Sequence, residues 1–276
     1  MGALEAVAGW PVGRAAAAVV DVGGVRAAWG AVGEVFPLAS VTKPLAALAT
    51  LVAVEEGAVG LDEPAGPEGS TVRHLLAHAS GLAPEEPTRV ARPGTRRIYS
   101  NAGFDVLGAH VERATGMAFA DYLRRAVCEP LGLDSTALVG SPAHAATSTV
   151  EDLTRVLSEL LDPKVLHPDT VREAATVQFP GLAGVLPGFG RQQHNDWGLG
   201  FEIRDSKSPH WTGERNSPGT YGHFGRSGTA IWVDPVARVG CVALTDRDFG
   251  EWAARAWPEL ADAVLDECAG TSQNER

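Results

Sequence analysis

Ser40 and Lys43 stand three residues apart at the head of an apolar run that ends at Gly57. On a helix this spacing puts a hydroxyl and an amine on one face. A serine hydroxyl is a poor nucleophile until a neighbouring base takes its proton. An amine desolvated beside it loses basicity and can be that base. The chemistry within reach is acyl transfer through a serine. The plainer alternative is a Ser/Thr-rich helix start with a surface lysine. Leu45, Leu48, Leu51, Val52 and Val54 in an Ala-rich setting predict a largely buried helix from about Thr42 to Glu56, with Gly57 at C′. Pro44 has no N–H for the carbonyl four residues back, so the opening turn is irregular or the helix starts just after Ser40. Either way Ser40 lies at the positive helix end, where an anionic oxygen is favoured.

Two further stretches carry chemistry. In Arg97-Ile98-Tyr99-Ser100-Asn101 a phenol and an amide can share a cleft. A tyrosine beside a lysine and another cation ionises nearer neutrality, and a phenolate can accept the serine proton and return it to a leaving group. The structural alternative is a half-buried tyrosine with Asn101 as helix N-cap. The other stretch is Tyr221-Gly222-His223-Phe224-Gly225-Arg226-Ser227-Gly228-Thr229, leading into an apolar strand. Its glycines allow close backbone approach to a ligand, and an N–H there can join that of Ser40 in an oxyanion hole. His223 reads as a polar wall residue, a proton partner or a structural histidine.

Around these stretches the chain is an ordinary globular one: 276 residues, 45% hydrophobic and 21% charged, enough for one large domain or two subdomains sharing a core. A formal charge of −11 argues against nucleic acid or an anionic membrane as partner. Cys128, Cys241 and Cys268 are widely spaced and suggest neither a zinc site nor a disulfide framework. No stretch is long and apolar enough for a membrane span, and the start lacks a basic n-region with an apolar core, so the expected location is cytoplasmic.

The elements that must position these groups follow from local pattern. Leu4 to Trp10 reads as a short helix, and Ala15–Asp21 with 25–32 as a hairpin turned at Gly23-Gly24. Thr71 caps a helix from Val72 to His78, and residues 82–100 form a long surface loop. Helices are expected over 101–115, 118–129, 150–161 and 168–176. Short strands are expected at 197–204, 229–234 and 238–245, before a last helix over about 250–268. Strands at both ends with helices between them give an α/β (α+β) layer, residues 1–60 with 195–276, carrying a helical subdomain of residues 61–194. Arg96-Arg97 reads as a solvated loop edge and Asp246-Arg247-Asp248 as a charged turn. Among seven tryptophans, Trp197 and Trp211 are expected to line a pocket.

Taken in order, Ser40-x-x-Lys43, Tyr99-x-Asn101 and His223-x-Gly225 resemble the three signature motifs of the serine β-lactamase and penicillin-binding-protein superfamily. The branch it resembles is the class C-like group with its esterases and D-amino-acid peptidases. Phe36-Pro37-Leu38-Ala39, the run from Leu75 to Leu82, Pro130-Leu131-Gly132-Leu133 and Ser148 to Leu153 are similar to it as well, so the likeness spans about residues 15–266. It implies a β-lactamase/transpeptidase-like fold, an antiparallel sheet flanked by helices with an inserted all-helical subdomain. It also implies acylation of Ser40, activation by Lys43, proton transfer through Tyr99, and orientation of substrate and lysine by Asn101. Backbone N–H groups of Ser40 and Arg226 would form the oxyanion hole, and no metal or cofactor would be needed. His223 stands where the β-lactamases proper carry lysine, which weakens carboxylate recognition; Arg226 is the candidate replacement cation.

The function implied is a serine hydrolase acting on a small ester or amide. β-Lactamase or penicillin-binding activity is the alternative within that chemistry. A non-catalytic ligand-binding descendant is the alternative outside it. A metal hydrolase on His74-x-x-x-His78 is a further option, though Leu75 stands where a His-Glu-x-x-His motif needs its glutamate. The expected partner is a small ester, amide or lactam, and the acidic surface fits a monomer or a dimer.

Overall fold

The computed structural model describes residues 2–274. In chain order the strands are β1 (Ala15–Asp21), β2 (Gly24–Gly30), β3 (Phe36–Pro37), β4 (Ala137–Leu138), β5 (Ala146–Ser148) and β6 (Gly184–Leu186). They continue as β7 (Gly190–Gln192), β8 (Glu202–Ile203), β9 (Tyr221–Gly225), β10 (Thr229–Asp234) and β11 (Val239–Thr245). The α-helices are α1 (Thr42–Glu55), α2 (Val72–Leu76), α3 (Asn101–Thr115), α4 (Phe119–Leu123), α5 (Glu129–Leu131), α6 (Val150–Leu161), α7 (Pro168–Ala174) and α8 (Glu251–Asn274). Short 3-10 turns lie at Ala3–Gly9 and Ala39–Val41, and a π turn at Arg124–Cys128.

Among the described residues, six strands form one antiparallel sheet in the order β2-β1-β11-β10-β9-β8. Every residue of β10 and β11 is buried, because helices cover both faces of the sheet. Strands covered on both faces read as continuous apolar runs rather than as alternation. Side chains of β1 leave on opposite faces in turn. Ala16, Ala18 and Val20 join the large core built with α1, α3 and α6, while Ala17 and Val19 join Trp257, Leu260 and Val264 of α8. Edge strand β2 carries Arg26, paired with Asp21 at 2.7 Å, and a charge on an edge discourages pairing with another chain. Helix α6 packs on β1, β10 and β11, although it lies in the middle stretch of the chain.

Helix α1 begins at Thr42 after the irregular turn that Pro44 demands, and it is buried continuously from Thr42 to Leu51. Its alanines let other backbone come close: a Cβ on Gly200, whose φ is +87°, would stand 2.2 Å from the Cβ of Ala47.

Several expectations give way. Only Glu202–Ile203 of the stretch 197–204 is strand. The three-stranded sheet β3-β5-β4 and the hairpin β6-β7 were not expected, since strands of two or three residues have no period to read. Helix α2 stops at Leu76, and His78 lies beyond it with φ +54°. Arg97 is no solvated edge: it is 2% exposed. Among the described residues no helix is long and apolar enough to cross a membrane.

Candidate active site

The turn that carries Ser40 is held from two sides. Leu38 N–H donates to Ala146 O at 2.9 Å, and Thr229 Oγ1 and Ser227 Oγ donate to Leu38 O and Pro37 O at 2.8 and 2.7 Å. The turn therefore lies directly on the β9–β10 hairpin. A Cβ on Gly225 would sit 2.4 Å from Leu38 O, which is why a glycine occupies this point. Ala39, just before Ser40, has φ +45°, a conformation L-residues adopt only when the surroundings enforce it.

One turn on, Lys43 is fully buried. Its Nζ lies 2.7 Å from Asn101 Oδ1, 2.9 Å from Ala143 O, 2.7 Å from Tyr99 OH and 3.5 Å from Ser40 Oγ. Burial draws its pKa down to about 7, with Glu85 and Asp105 opposing that drop. The hydrogen count then becomes informative. A neutral amine has two N–H groups, and Asn101 Oδ1 and Ala143 O can only accept. Both hydrogens are committed, so the lone pair is left to the hydroxyls of Tyr99 and Ser40. An amine in that state can take a proton from either.

Tyr99 is fixed by its neighbours along the chain. Ser100 caps α3 by accepting from Gly103 N–H at 2.9 Å, and its own N–H donates to His78 Nδ1 at 3.1 Å. The cap is thus Ser100, not Asn101, which frees the Asn101 amide for Lys43. On the other side, the Arg97 guanidinium donates to Asn195 O, Ala77 O, Gln178 O and Phe179 O at 2.9, 2.6, 2.7 and 3.1 Å. It ties together three segments behind the site, and burial lowers its pKa to about 10. Tyr99 is not a phenolate near neutrality: burial raises its pKa well above the ordinary value, against the hydrogen bond with Ser40 that pulls it down. Nearby positive charge was the reason to expect ionisation, and desolvation outweighs it. A neutral phenol can still accept and donate in one concerted relay.

The cavity in front of these groups has a volume of about 340 Å³. Ser40, Tyr99, Asn101 and Glu85 give it a polar side, and Leu186, Pro187, Phe224 and Phe249 an apolar one. His223 lines it from β9 and is 3% exposed. Its Nδ1 lies 2.8 Å from Phe224 O, an obligate acceptor, so Nδ1 carries the hydrogen. Burial, with Lys43 adding to it, lowers the imidazole pKa to about 3, so the ring is neutral and Nε2 is a bare acceptor without a partner. Arg226 stands at the rim with its side chain 90% exposed, 3.7 Å from Asp248.

Trp197 lines the cavity, whereas Trp211 stands behind it, its Nε1–H donating to Glu202 Oε2 at 3.0 Å. Glu202 is a buried cavity residue paired with Lys207 at 2.6 Å and His210 at 2.9 Å. Burial pushes its pKa up, but the two partners win and hold it at about 2. Glu85, Glu202, Leu186, Phe249 and the Ala143 carbonyl were not legible in the sequence, because each enters from a loop or short strand without a motif. The two motif histidines of the metal reading part company: His74 stacks on Phe179 at 4.2 Å, and His78 packs on Tyr99 and Trp197. Among the described residues no group of three His, Cys, Asp or Glu side chains could hold a metal.

Comparison with known proteins agrees with this arrangement. The beta-lactamase family profile matches residues 7–266. Esterase EstB of Burkholderia gladioli is 35% identical over 83% of this chain and 81% of the esterase. Penicillin-binding protein 4* of Bacillus subtilis is 30% identical over 37% of this chain, which spans only 30% of that protein's length. A crystal structure of a beta-lactamase from Mycobacterium bovis is 60% identical and superposes with a TM-score of 0.95, covering 96% of this chain and 99% of that one.

Proposed function

Since the chain belongs to the beta-lactamase family, with its serine hydrolases, we propose that Ser40 takes the acyl group of a small ester or amide and passes it to water. The observation that carries this is the environment of Lys43: a buried amine near neutrality whose two hydrogens are committed, with its lone pair left to Tyr99 and Ser40. Ser40 Oγ attacks the carbonyl carbon as its proton passes to Lys43 Nζ, directly or through the Tyr99 hydroxyl. The tetrahedral oxyanion is met by backbone N–H groups of Ser40 and Arg226. Collapse expels the leaving group, protonated through Tyr99, and water then attacks the acyl-serine with the same amine as base. Asn101 holds the lysine through Oδ1, and its donor side rests on Glu85 at the cavity mouth.

The ester or amide is favoured over a lactam by His223. A neutral, buried imidazole gives a carboxylate no charge to pair with, and the Arg226 side chain is 90% exposed at the rim. The likeness to a Mycobacterium bovis beta-lactamase supports a penicillin as an alternative acyl donor. We place the cleft between a sheet lobe, residues 1–60 with 195–276, and a helical lobe, residues 61–194. A cytoplasmic location is part of the same proposal.

The test is intact-protein mass after separate incubation with a fluorophosphonate, p-nitrophenyl acetate and a penicillin, alongside Ser40→Ala. The expected result is a Ser40-dependent adduct with the first and turnover of the second exceeding that of the third. A wild-type protein left unmodified by all three would make it a ligand-binding descendant instead.

A further inference from the structure

Glu85 stands at the cavity mouth on the loop between α2 and α3, in a position that no motif assigns. Its two carboxylate oxygens accept from Asn101 Nδ2 at 2.9 and 3.1 Å, while Asn101 Oδ1 is held by Lys43. The donor side of Asn101, the natural partner for a substrate carbonyl, therefore meets a negative charge. Asn101 uses one lone pair on each Glu85 oxygen, and a carboxylate has about four such sites. The rest face the mouth of the cavity.

A further acceptor is buried in the cavity wall. His223 Nε2 is buried and without a partner, and its ring cannot turn donor there because Nδ1–H is committed to Phe224 O. Glu202 adds a further buried carboxylate to the lining, already paired. Of the cations nearby, Lys43 is spent on its own acceptors, and Arg226 stands at the rim, 90% exposed and 3.7 Å from Asp248. A cavity whose mouth carries a carboxylate with acceptor capacity to spare suits a ligand that brings hydrogens and positive charge.

Resting on the serine-hydrolase reading of the same cavity, we propose that Glu85 selects acyl donors that carry an ammonium a few bonds from the scissile carbonyl. The ammonium replaces one of the Asn101 contacts on Glu85 and frees that amide for the substrate. Acyl groups ending in a carboxylate are disfavoured by the same residue, since like charges meet at close range in a partly desolvated cavity.

Three p-nitrophenyl esters of matched length test this, each corrected for spontaneous hydrolysis: 3-aminopropanoate, butanoate and hemisuccinate. The wild type is expected to show kcat/KM for the aminopropanoate roughly tenfold above the butanoate, with the hemisuccinate lowest. Glu85→Gln should bring the first ratio to about one, Glu85→Asp should keep its sign, and Glu85→Lys should put the hemisuccinate first. Equal rates for the cationic and neutral esters in the wild type, or a ratio unmoved by Glu85→Gln, overturn the proposal. Affinity of Ser40→Ala for 3-aminopropananilide against butyranilide, read by calorimetry, measures the same preference without turnover. A protein that prefers the cationic anilide yet hydrolyses no ester refutes the serine chemistry alone, whereas equal affinities refute the role of Glu85.

Discussion

At the scale of single residues, the site turns on how burial sets protonation. Lys43, Tyr99 and His223 lie within one small volume, and for each of them desolvation is the largest influence on its pKa. Desolvation disfavours the charged form in every case, so it lowers Lys43 and His223 and raises Tyr99. All three are neutral at mildly alkaline pH, so the amine keeps a lone pair that can take the serine proton as the oxyanion forms on the substrate. Lys43 must be neutral to accept that proton. Because its pKa is about 7, the active fraction grows as pH rises through 7 and is lost below it. We expect kcat/KM for p-nitrophenyl acetate to rise about tenfold per pH unit below 7 and to level above it. A profile flat from pH 5 to 9 would exclude Lys43 as the base. Tyr99→Phe should lower the plateau by about 10² to 10⁴ while the circular-dichroism melting curve stays close to wild type.

At the scale of elements, the groups proposed for catalysis come from pieces that have little regular structure of their own. Ser40 rides on a 3-10 turn, Tyr99 on the end of a loop, and His223 on a five-residue strand. What locks them is polar rather than apolar. Arg97 joins the strand-like segment before Tyr99 to Ala77, to Gln178 and Phe179, and to Asn195, next to cavity residue Trp197. Removing its guanidinium leaves several buried carbonyls without donors, each costing about 1–3 kcal/mol. Arg97→Met is expected to destabilise the fold by about 3–5 kcal/mol in urea titration. Arg97→Lys should recover little of that loss, since one ammonium cannot reach carbonyls arranged around a planar fork. A stability within about 0.5 kcal/mol of wild type for Arg97→Met would show that those carbonyls find other partners.

At the scale of the whole molecule, one antiparallel sheet separates two cores, and only one of them holds α1. The second core, where Leu4, Val7, Leu260 and Val264 meet the far face, stabilises the sheet without touching Lys43. Leu260→Ala should therefore cost about 2–5 kcal/mol of global stability. Its fluorophosphonate labelling rate at 20 °C should stay close to wild type, because the second core reaches the cavity only through the apolar wall of Leu186, Phe224 and Phe249 and holds none of Ser40, Lys43, Tyr99 or Asn101. A labelling rate reduced in proportion to the stability loss would instead tie the two cores into one mechanical unit.

The sequence by itself determined the parts that local chemistry dictates. Pro44 placed the start of α1 after Ser40, Gly57 its end, and Thr71 the cap of α2, because each acts through its own backbone hydrogen bonds. Motif spacing likewise singled out Ser40, Lys43, Tyr99, Asn101 and His223; four of them line one cavity, and Lys43 lies 2.7 Å from Tyr99 and from Asn101 behind it. Only the tertiary structure decided their protonation, since burial depends on contacts from distant segments; it reversed the expectation for Tyr99 and emptied His223 of charge. Arg97 looked like a solvated charge because charge and loop composition are local, whereas its four carbonyl partners lie 20 to 98 residues away. Glu85 and Glu202 escaped notice for the same reason. A carboxylate becomes part of a site through what folds against it, and nothing in its neighbours along the chain records that.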